Sequence, residues 1–415
     1  MRILIYGINF TPELTGIGKY TGELAQYLSQ RGEQVRVITA PPYYPYWKVQ
    51  SPYSAWHYLR EQIDGFLVFR CPVWVPARPS GLKRVLHLAS FALSSVPAML
   101  RQISWKPDIV VCIAPAIFCA PAAWITARRA RARSWLHIQD FELEAAINLK
   151  ILPGLGFLTS FLSKIEAFLL KRFDVVSTIS QRMLERLHQK GISDHKTYLL
   201  PNWVDCKVIL PLSHPSPIRK EIGADPEKVV ILYSGNLGQK QGLELLVGAA
   251  QALQNENDLF FVICGNGSAR PQLEKQAENL SNIRFMDLRP IEQLNELLNA
   301  ADIHVLVQRA ETADLVMPSK LSGMLASGRP VIATASGGTE LAEVIEETGL
   351  LVPPENLQEL TQAILSLAHD MPRREALGKQ GLQFVHTHWE KELVLEKLLY
   401  KLRYNTVRRS FNVQE

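Results

Sequence analysis

Met317-Pro-Ser-Lys-Leu-Ser-Gly-Met-Leu-Ala-Ser-Gly-Arg-Pro-Val-Ile-Ala-Thr-Ala-Ser-Gly-Gly-Thr-Glu-Leu341 reads as helix, strand and the start of a second helix. Pro318, Ser319 and Lys320 open a segment whose apolar residues Leu321, Met324 and Leu325 recur at helical spacing. Gly328 supplies a left-handed stop. Pro330–Ala333 is a β-rich run, and Gly337-Gly338-Thr339-Glu340 turns into the next helix. A helix N-terminus with bare amides and one cation is a place to hold a phosphate. Paired glycines let backbone come close to a ligand. An ordinary αβ unit with a glycine at each turn has the same spacing, so the stretch speaks for the fold before it speaks for a ligand.

The same alternation runs outward in both directions. Toward the N-terminus, Ile3–Tyr6 and Val35–Thr39 read as strands flanking a helix Lys19–Gln30, a βαβ unit. Residues 41–64 form an aromatic, proline-rich loop whose rings suit stacking on sugar faces and equally suit packing. Pro107–Ile113 reads as a strand, Ala116–Arg131 as a helix, Trp135–Glu144 as a strand ending in polar residues, and Asp174–Ser180 as a strand from which Ser180 opens a helix. A linker rich in Pro, Ser and His, 206–217, precedes a second series: strands Val229–Tyr233, Leu259–Cys264, Ile283–Phe285 and Ile303–Val307. The chain exceeds one hydrophobic core. We therefore expect an α/β protein of two Rossmann-like doubly wound domains, 1–205 and 206–390, facing a cleft. A helix from 391 is expected to pack back on the first.

Composition sets the class. Hydrophobic residues make up 47% and charged residues 20%, as in an ordinary globular protein. Residues 1–200 carry 24 Lys and Arg against 13 Asp and Glu; the rest carries 21 against 27. The basic excess gathers at Arg78, Lys83, Arg84, Arg101, Lys106 and in Arg128, Arg129, Arg131 and Arg133. An anionic membrane surface is one partner for such a patch, and solvent is another. No nucleic-acid motif accompanies it, so none is expected as partner. Five cysteines without a CxxC pair indicate neither a disulfide framework nor a zinc site, and point to a reducing cytoplasm. No uncharged apolar run is long enough to span a bilayer. Val85–Leu100 and Ile151–Phe173 come near. The second could lie in an interface, although burial against a sheet explains it better.

Candidate chemistry follows from position. In parallel sheets the carboxyl ends of strands line the ligand crevice. That places His137 and Asp140 there, with Glu142 and Glu144 just beyond. Gly16 and Gly18 do not complete GxGxxG, and no acidic residue ends the second strand, which argues against a dinucleotide site. His386 and His388 are spaced for one face of a strand and lack a third ligand, so they read as structural.

Taken together, Gly16-Ile-Gly18, Pro201-Asn202-Trp-Val-Asp205, Tyr233-Ser-Gly-Asn-Leu-Gly-Gln-Lys-Gln-Gly242, Gly265-Asn266-Gly267, Pro318-Ser319-Lys320 and Gly337-Gly338-Thr339-Glu340 resemble, in order and spacing, the family 4 glycosyltransferases of the GT-B fold. His137-Ile-Gln-Asp140-Phe-Glu and Gly238-Gln-Lys-Gln-Gly242 further resemble the colanic-acid-type exopolysaccharide branch. The resemblance implies retaining, metal-independent transfer from a GDP- or UDP-sugar to a lipid-linked or growing polysaccharide acceptor. It implies no cofactor beyond the nucleotide-sugar substrate, and a cytoplasmic protein that can sit peripherally on the inner face of the membrane.

By motif position the donor would meet Gly16, Gly18, Gly235, Asn236, Lys240, Gln241, Gly265, Asn266, Gly267, Pro318, Ser319, Lys320 and Gly337–Glu340. With no DxD-type cluster to hold Mg²⁺, Lys320 or Lys240 would supply charge, and the amides at Gly16 and Gly337–Glu340 would donate. Asp140 would face the acceptor hydroxyl, with His137 as the alternate. The glutamates such families carry for ribose and donor sugar are Leu315 and Gly323 here, which leaves Glu340 or Glu311 to stand in. Two rivals share the fold: a nucleotide-sugar 2-epimerase, and a non-catalytic subunit that positions a partner transferase.

Overall fold

Strands whose apolar residues run without alternation belong in sheets covered on both faces. Ile109–Ala114 and Leu259–Cys264 are buried at every position, and each lies inside a parallel sheet. The structure, a computed structural model, describes residues 1–13, 16–114, 118–141, 156–310 and 317–411, and at 156–163, 240 and 405–411 it describes the backbone alone. The chain divides into two units: Met1–Pro201 with Leu395–Glu415, and Asn202–Val394.

The first unit holds β1 (Arg2–Tyr6), β2 (Gln34–Thr39), β3 (Leu59–Ile63), β4 (Phe66–Arg70), β5 (Ile109–Ala114), β6 (Arg133–Ile138), β7 (Val175–Thr178) and β8 (Thr197–Leu199). Their order is β3-β4-β2-β1-β5-β6-β7-β8. Only β3 runs antiparallel, against β4. Ile5 sits in register between Val37 and Val111. The helices of this stretch are α1 (Gly16–Gln30), α2 (Gly81–Arg101), α3 (Ala120–Ala130), α4 (Gly156–Arg172) and α5 (Gln181–Gln189). The chain lays β2, β4 and β3 on one side of β1, then crosses through α2 to β5 on the other. The switch point therefore falls between β1 and β5.

In the second unit β9 (Val229–Ser234), β10 (Leu259–Cys264), β11 (Ile283–Met286), β12 (Ile303–Leu306), β13 (Val331–Thr334) and β14 (Gly349–Val352) order as β11-β10-β9-β12-β13-β14, all parallel. Here the switch point lies between β9 and β12. Its helices are α6 (Pro217–Ile222), α7 (Glu244–Ala252), α8 (Arg270–Gln276), α9 (Leu294–Ala300), α10 (Lys320–Ala326), α11 (Glu340–Thr348), α12 (Leu357–Ala368) and α13 (Met371–His388). The last helix, α14 (Lys391–Phe411), returns the chain to the first unit, where Arg403 donates to Glu33 Oε1 at 2.6 and 3.0 Å.

Four sequence expectations need correction. The last residues of the 41–64 loop are strand β3, whose polar pattern Leu-Arg-Glu-Gln-Ile suits an exposed sheet edge. The strand expected over Trp135–Glu144 stops at Ile138, and Glu142 and Glu144 lie outside the described residues. The helix expected from Ala116 is described from Ala120, with Pro115–Ile117 outside. His386 and His388 sit in the last turn of α13, not in a strand. Two residues apart on a helix they do not share a face.

Candidate functional site

The second unit assembles its candidates at the switch point. β9 ends beside the start of α10, and there Lys320 Nζ donates to Tyr233 Oη at 2.7 Å while lying 4.1 Å from the centre of the ring. The tyrosine hydroxyl donates onward to the Asn236 carbonyl at 2.8 Å. Gly235, at φ +141, leaves room for the ammonium: a Cβ there would stand 2.9 Å from Nζ. Lys320 is half-buried, and desolvation pulls its pKa down to about 8. Among the described residues no carboxylate pairs with it. The arrangement is a poorly solvated cation held by one hydroxyl and the face of the same ring.

Glycines around it divide into two kinds. Gly265 and Gly267 serve the approach of one loop to another: added Cβ atoms would lie 1.8 Å from the Gly235 carbonyl oxygen and 2.3 Å from that of Leu237. The loops after β9 and β10 are zipped by Gly235 N–H to Cys264 O, Leu237 N–H to Asn266 O and Ala269 N–H to Leu237 O, at 2.9 to 3.0 Å. Arg270 completes the clamp by donating to Gly265 O and Asn266 Oδ1. Gly337 and Gly338, by contrast, are exposed, and a Cβ on either would meet nothing within 4 Å. They lead to Thr339, whose Oγ1 accepts from Ala342 N–H at 3.2 Å and caps α11 just before Glu340.

Gln239–Gln241 form one tight turn. The turn is held by Arg309, which donates to Gln239 O at 3.0 Å and pairs with Glu244 and Glu355. Gln241 Oε1 is buried beside this turn without a hydrogen-bond partner among the described residues. The side chain of Lys240, together with Glu311 and Leu315, lies outside the described residues. Ser319 is exposed just before α10, and Pro318 accepts from Leu321 N–H at 3.0 Å. Gly323 lies inside α10, with Leu298 Cδ1 3.4 Å from where a Cβ would be.

In the first unit Gly16, at φ +62, opens α1, and Gly18 packs on Glu13: a Cβ would stand 2.6 Å from Glu13 Oε2. Glu13 and Arg70 escaped the sequence reading. Glu13 is buried, accepts from the amides of Tyr43 and Tyr44 at 3.0 Å each and from Asn9 Nδ2 at 2.9 Å. Burial raises its pKa in spite of those bonds. Arg70 is also buried, and donates to Ala40 O at 3.0 Å and Thr11 O at 2.8 Å. Between them the two charges fix the loops after β1 and β2 at the carboxyl edge of the sheet. The one signal in the sequence was a cation closing an apolar strand, Phe66–Arg70.

His137 is buried with both ring nitrogens engaged, Nδ1 with Ser177 Oγ at 2.9 Å and Nε2 with Gln139 Nε2 at 3.0 Å. Desolvation lowers its pKa to about 4, so the ring is neutral. Such a ring positions the end of β6. Asp140 follows, half-buried, two residues past the strand. Among the described residues one group has metal-ligand chemistry, Glu256, Asp258 and His369. Asp258 immediately precedes β10, at the edge of the sheet opposite Lys320.

The Glycosyl transferase 4-like domain family matches residues 15–203, and the Glycosyl transferases group 1 family matches 228–370. The chain is 40% identical to the putative colanic acid biosynthesis glycosyl transferase WcaI of Escherichia coli K12, over 97% of this chain and 100% of that protein. It is 30% identical to a GDP-mannose-dependent monoacylated alpha-(1-6)-phosphatidylinositol monomannoside mannosyltransferase of Corynebacterium glutamicum, over 54% of this chain and 61% of that one. Among solved structures, sucrose-phosphate synthase from Thermosynechococcus elongatus superposes with a TM-score of 0.75 at 17% identity, covering 100% of both chains, a likeness of fold.

Proposed function

The chain belongs to the group 1, family-4-like glycosyltransferases of the GT-B fold, and from that premise we propose that it moves a sugar, with retention and without a metal, from a GDP- or UDP-sugar to a lipid-linked or growing exopolysaccharide acceptor. The observation that carries this reading is Lys320: a desolvated cation at the switch point of the second unit, without a carboxylate among the described residues. A diphosphate supplies a charge of opposite sign, and as it departs it gains more negative charge for the ammonium to stabilise. The capped N-terminus of α11 offers amides of the same sense. The name of the E. coli relative points to exopolysaccharide synthesis, and that of the Corynebacterium relative to a GDP-sugar and a lipid acceptor. Peripheral contact with an anionic membrane on the cytoplasmic side belongs to the same reading.

Asp140 is assigned to the acceptor hydroxyl, which a carboxylate orients or deprotonates. Thermal-shift measurements against GDP, UDP, ADP and dTDP test the donor site, because a ligand of the folded state raises its apparent stability. A shift with GDP or UDP is expected. No shift with any nucleotide at millimolar concentration would favour the non-catalytic subunit. Asp140→Asn should abolish transfer and keep the nucleotide shift; turnover that needs no acceptor would favour the epimerase.

A further inference from the structure

The second unit has a cavity at the edge of its sheet away from Lys320. Asp302 immediately precedes β12 and Arg329 lies two residues before β13, so in this parallel sheet both stand at the amino edge. α6 and the turn that follows it line the same cavity, whose volume is about 690 Å³, the size of a pocket for a small metabolite. Its charges fall into two groups. Asp302 and Arg219 are consumed within the fold. Asp302 Oδ2 accepts from Arg219 at 2.7 Å and from Val230 N–H at 2.8 Å, and Arg219 also donates to the Ala300 and Lys228 carbonyls. Arg329 and Lys220 are left over. Among the described residues neither side chain makes a hydrogen bond or ion pair, and Arg329 Nε is buried without a partner. Arg329 is half-buried, and a guanidinium keeps its charge however it is placed. Lys220 is exposed at the mouth, with His214 and Asp225.

We propose that this cavity binds a dianionic phosphate group, free or carried by a sugar, at a second site distinct from that of the nucleotide sugar. The guanidinium fork of Arg329 takes two phosphate oxygens, and Lys220 adds a point charge from the mouth. The cavity has room for more than a phosphate. Asp225, which no cation of the cavity neutralises among the described residues, is an acceptor for sugar hydroxyls beside it. Among the described residues no Phe, Tyr or Trp lines the cavity, so a nucleobase finds no ring to stack on. Lys320 lies at the start of α10 and Arg329 three residues past its end, which puts the two cations at opposite edges of the sheet. The site therefore stands or falls independently of the donor reading.

The test is a thermal-shift titration of the full chain with inorganic phosphate, glucose 6-phosphate and glucose, each against chloride at equal ionic strength. A ligand of the folded state raises the melting temperature with its concentration, which gives an apparent affinity. Phosphate and glucose 6-phosphate should shift the parent, and glucose should not. Tighter binding of glucose 6-phosphate assigns the site to a sugar phosphate; equal binding assigns it to free phosphate. Arg329→Gln should weaken both at least about tenfold, the worth of a charged hydrogen bond. Lys220→Gln, exposed and screened, should weaken them about threefold. Both variants should keep the nucleotide shift and, in chloride, the parent's melting temperature, because neither side chain has a partner in the fold to lose. Lys320→Met should keep the phosphate shift. A parent that phosphate and glucose 6-phosphate leave unmoved would overturn the proposal, and the donor reading would survive if nucleotide still shifts it. A phosphate shift that Lys320→Met abolishes and Arg329→Gln leaves intact would overturn it too, by placing the anion in the donor site. A phosphate shift lost only in Arg329→Gln, with no response to any nucleotide, supports the second site and counts against the donor site alone.

Discussion

Lys320 concentrates the argument at the scale of a residue. Its folded pKa of about 8 lies below that of a free lysine, so the fold disfavours the charged form, and a bound diphosphate relieves that cost. Lys320→Met should therefore remove nucleotide binding while leaving the ligand-free protein at least as stable as the parent. Nucleotide affinity of the parent should fall as pH rises through about 8; an affinity flat to pH 9.5 would remove Lys320 from the phosphate. His137 gives the opposite kind of test. Its pKa of about 4 means that between pH 6.5 and 4 the unfolded chain binds a proton the folded chain refuses, so stability falls with pH across that window. By pH 5 the loss amounts to about 2 kcal/mol, and denaturant melts of the parent and of His137→Gln at pH 7 and 5 should differ by that much in their pH dependence. Lys320 was legible in the sequence as a cation after Pro318-Ser319. Tyr233, which holds it from 87 positions away, was legible only as a motif residue. Glu13 was not legible, because a single buried charge interrupts no period, and Arg70 showed only as a cation closing an apolar strand.

Between elements, the glycines separate what the fold needs from what a ligand would use. Gly265→Ala drives a Cβ into the Gly235 carbonyl at a φ of +157, and should cost at least about 3 kcal/mol or prevent folding. Gly337→Ala meets open space and should stay within about 0.5 kcal/mol of the parent, while weakening nucleotide binding if the amides before α11 hold the diphosphate. Equal melting temperatures for the two variants would undo the distinction. Apolar runs made the central strands readable, and Leu259–Cys264 falls where the pattern put it. Edge strand β3 and helix α13 were not readable, for different reasons. β3 is half polar and solvated. α13 packs through glycine rather than through an apolar stripe: a Cβ on Gly378 would lie 2.1 Å from the Gly328 carbonyl, and one on Gly381 2.8 Å from Leu325. The close approach that makes the contact erases its period.

At the scale of the whole molecule the chain crosses between units twice, once after Pro201 and once at Leu395. The sequence placed these crossings near Asp205 and residue 391, because the linker composition and the last apolar helix mark them. What composition could not show is how much of the first unit's core comes from the returning helix. Leu395, Leu398, Leu399 and Leu402 are all buried, and each side chain so placed is worth about 1.5–3 kcal/mol. Their sum is comparable with the whole stability of a domain, about 5–15 kcal/mol. Glu33 is also buried, and besides the Arg403 guanidinium it pairs with the Met1 ammonium, so it would keep only one of its two cations. A chain ended at Val394 should therefore melt with its first unit already unfolded. The second unit, which holds Lys320, Tyr233 and the loops around them, keeps its own sheet and should keep its nucleotide shift. Calorimetry with and without GDP or UDP reads both at once. One surviving transition that moves with nucleotide is expected. An unchanged melt would mean that the returning helix only decorates the first unit; a transition that no longer answers to nucleotide would mean that the donor site needs more than the second unit supplies.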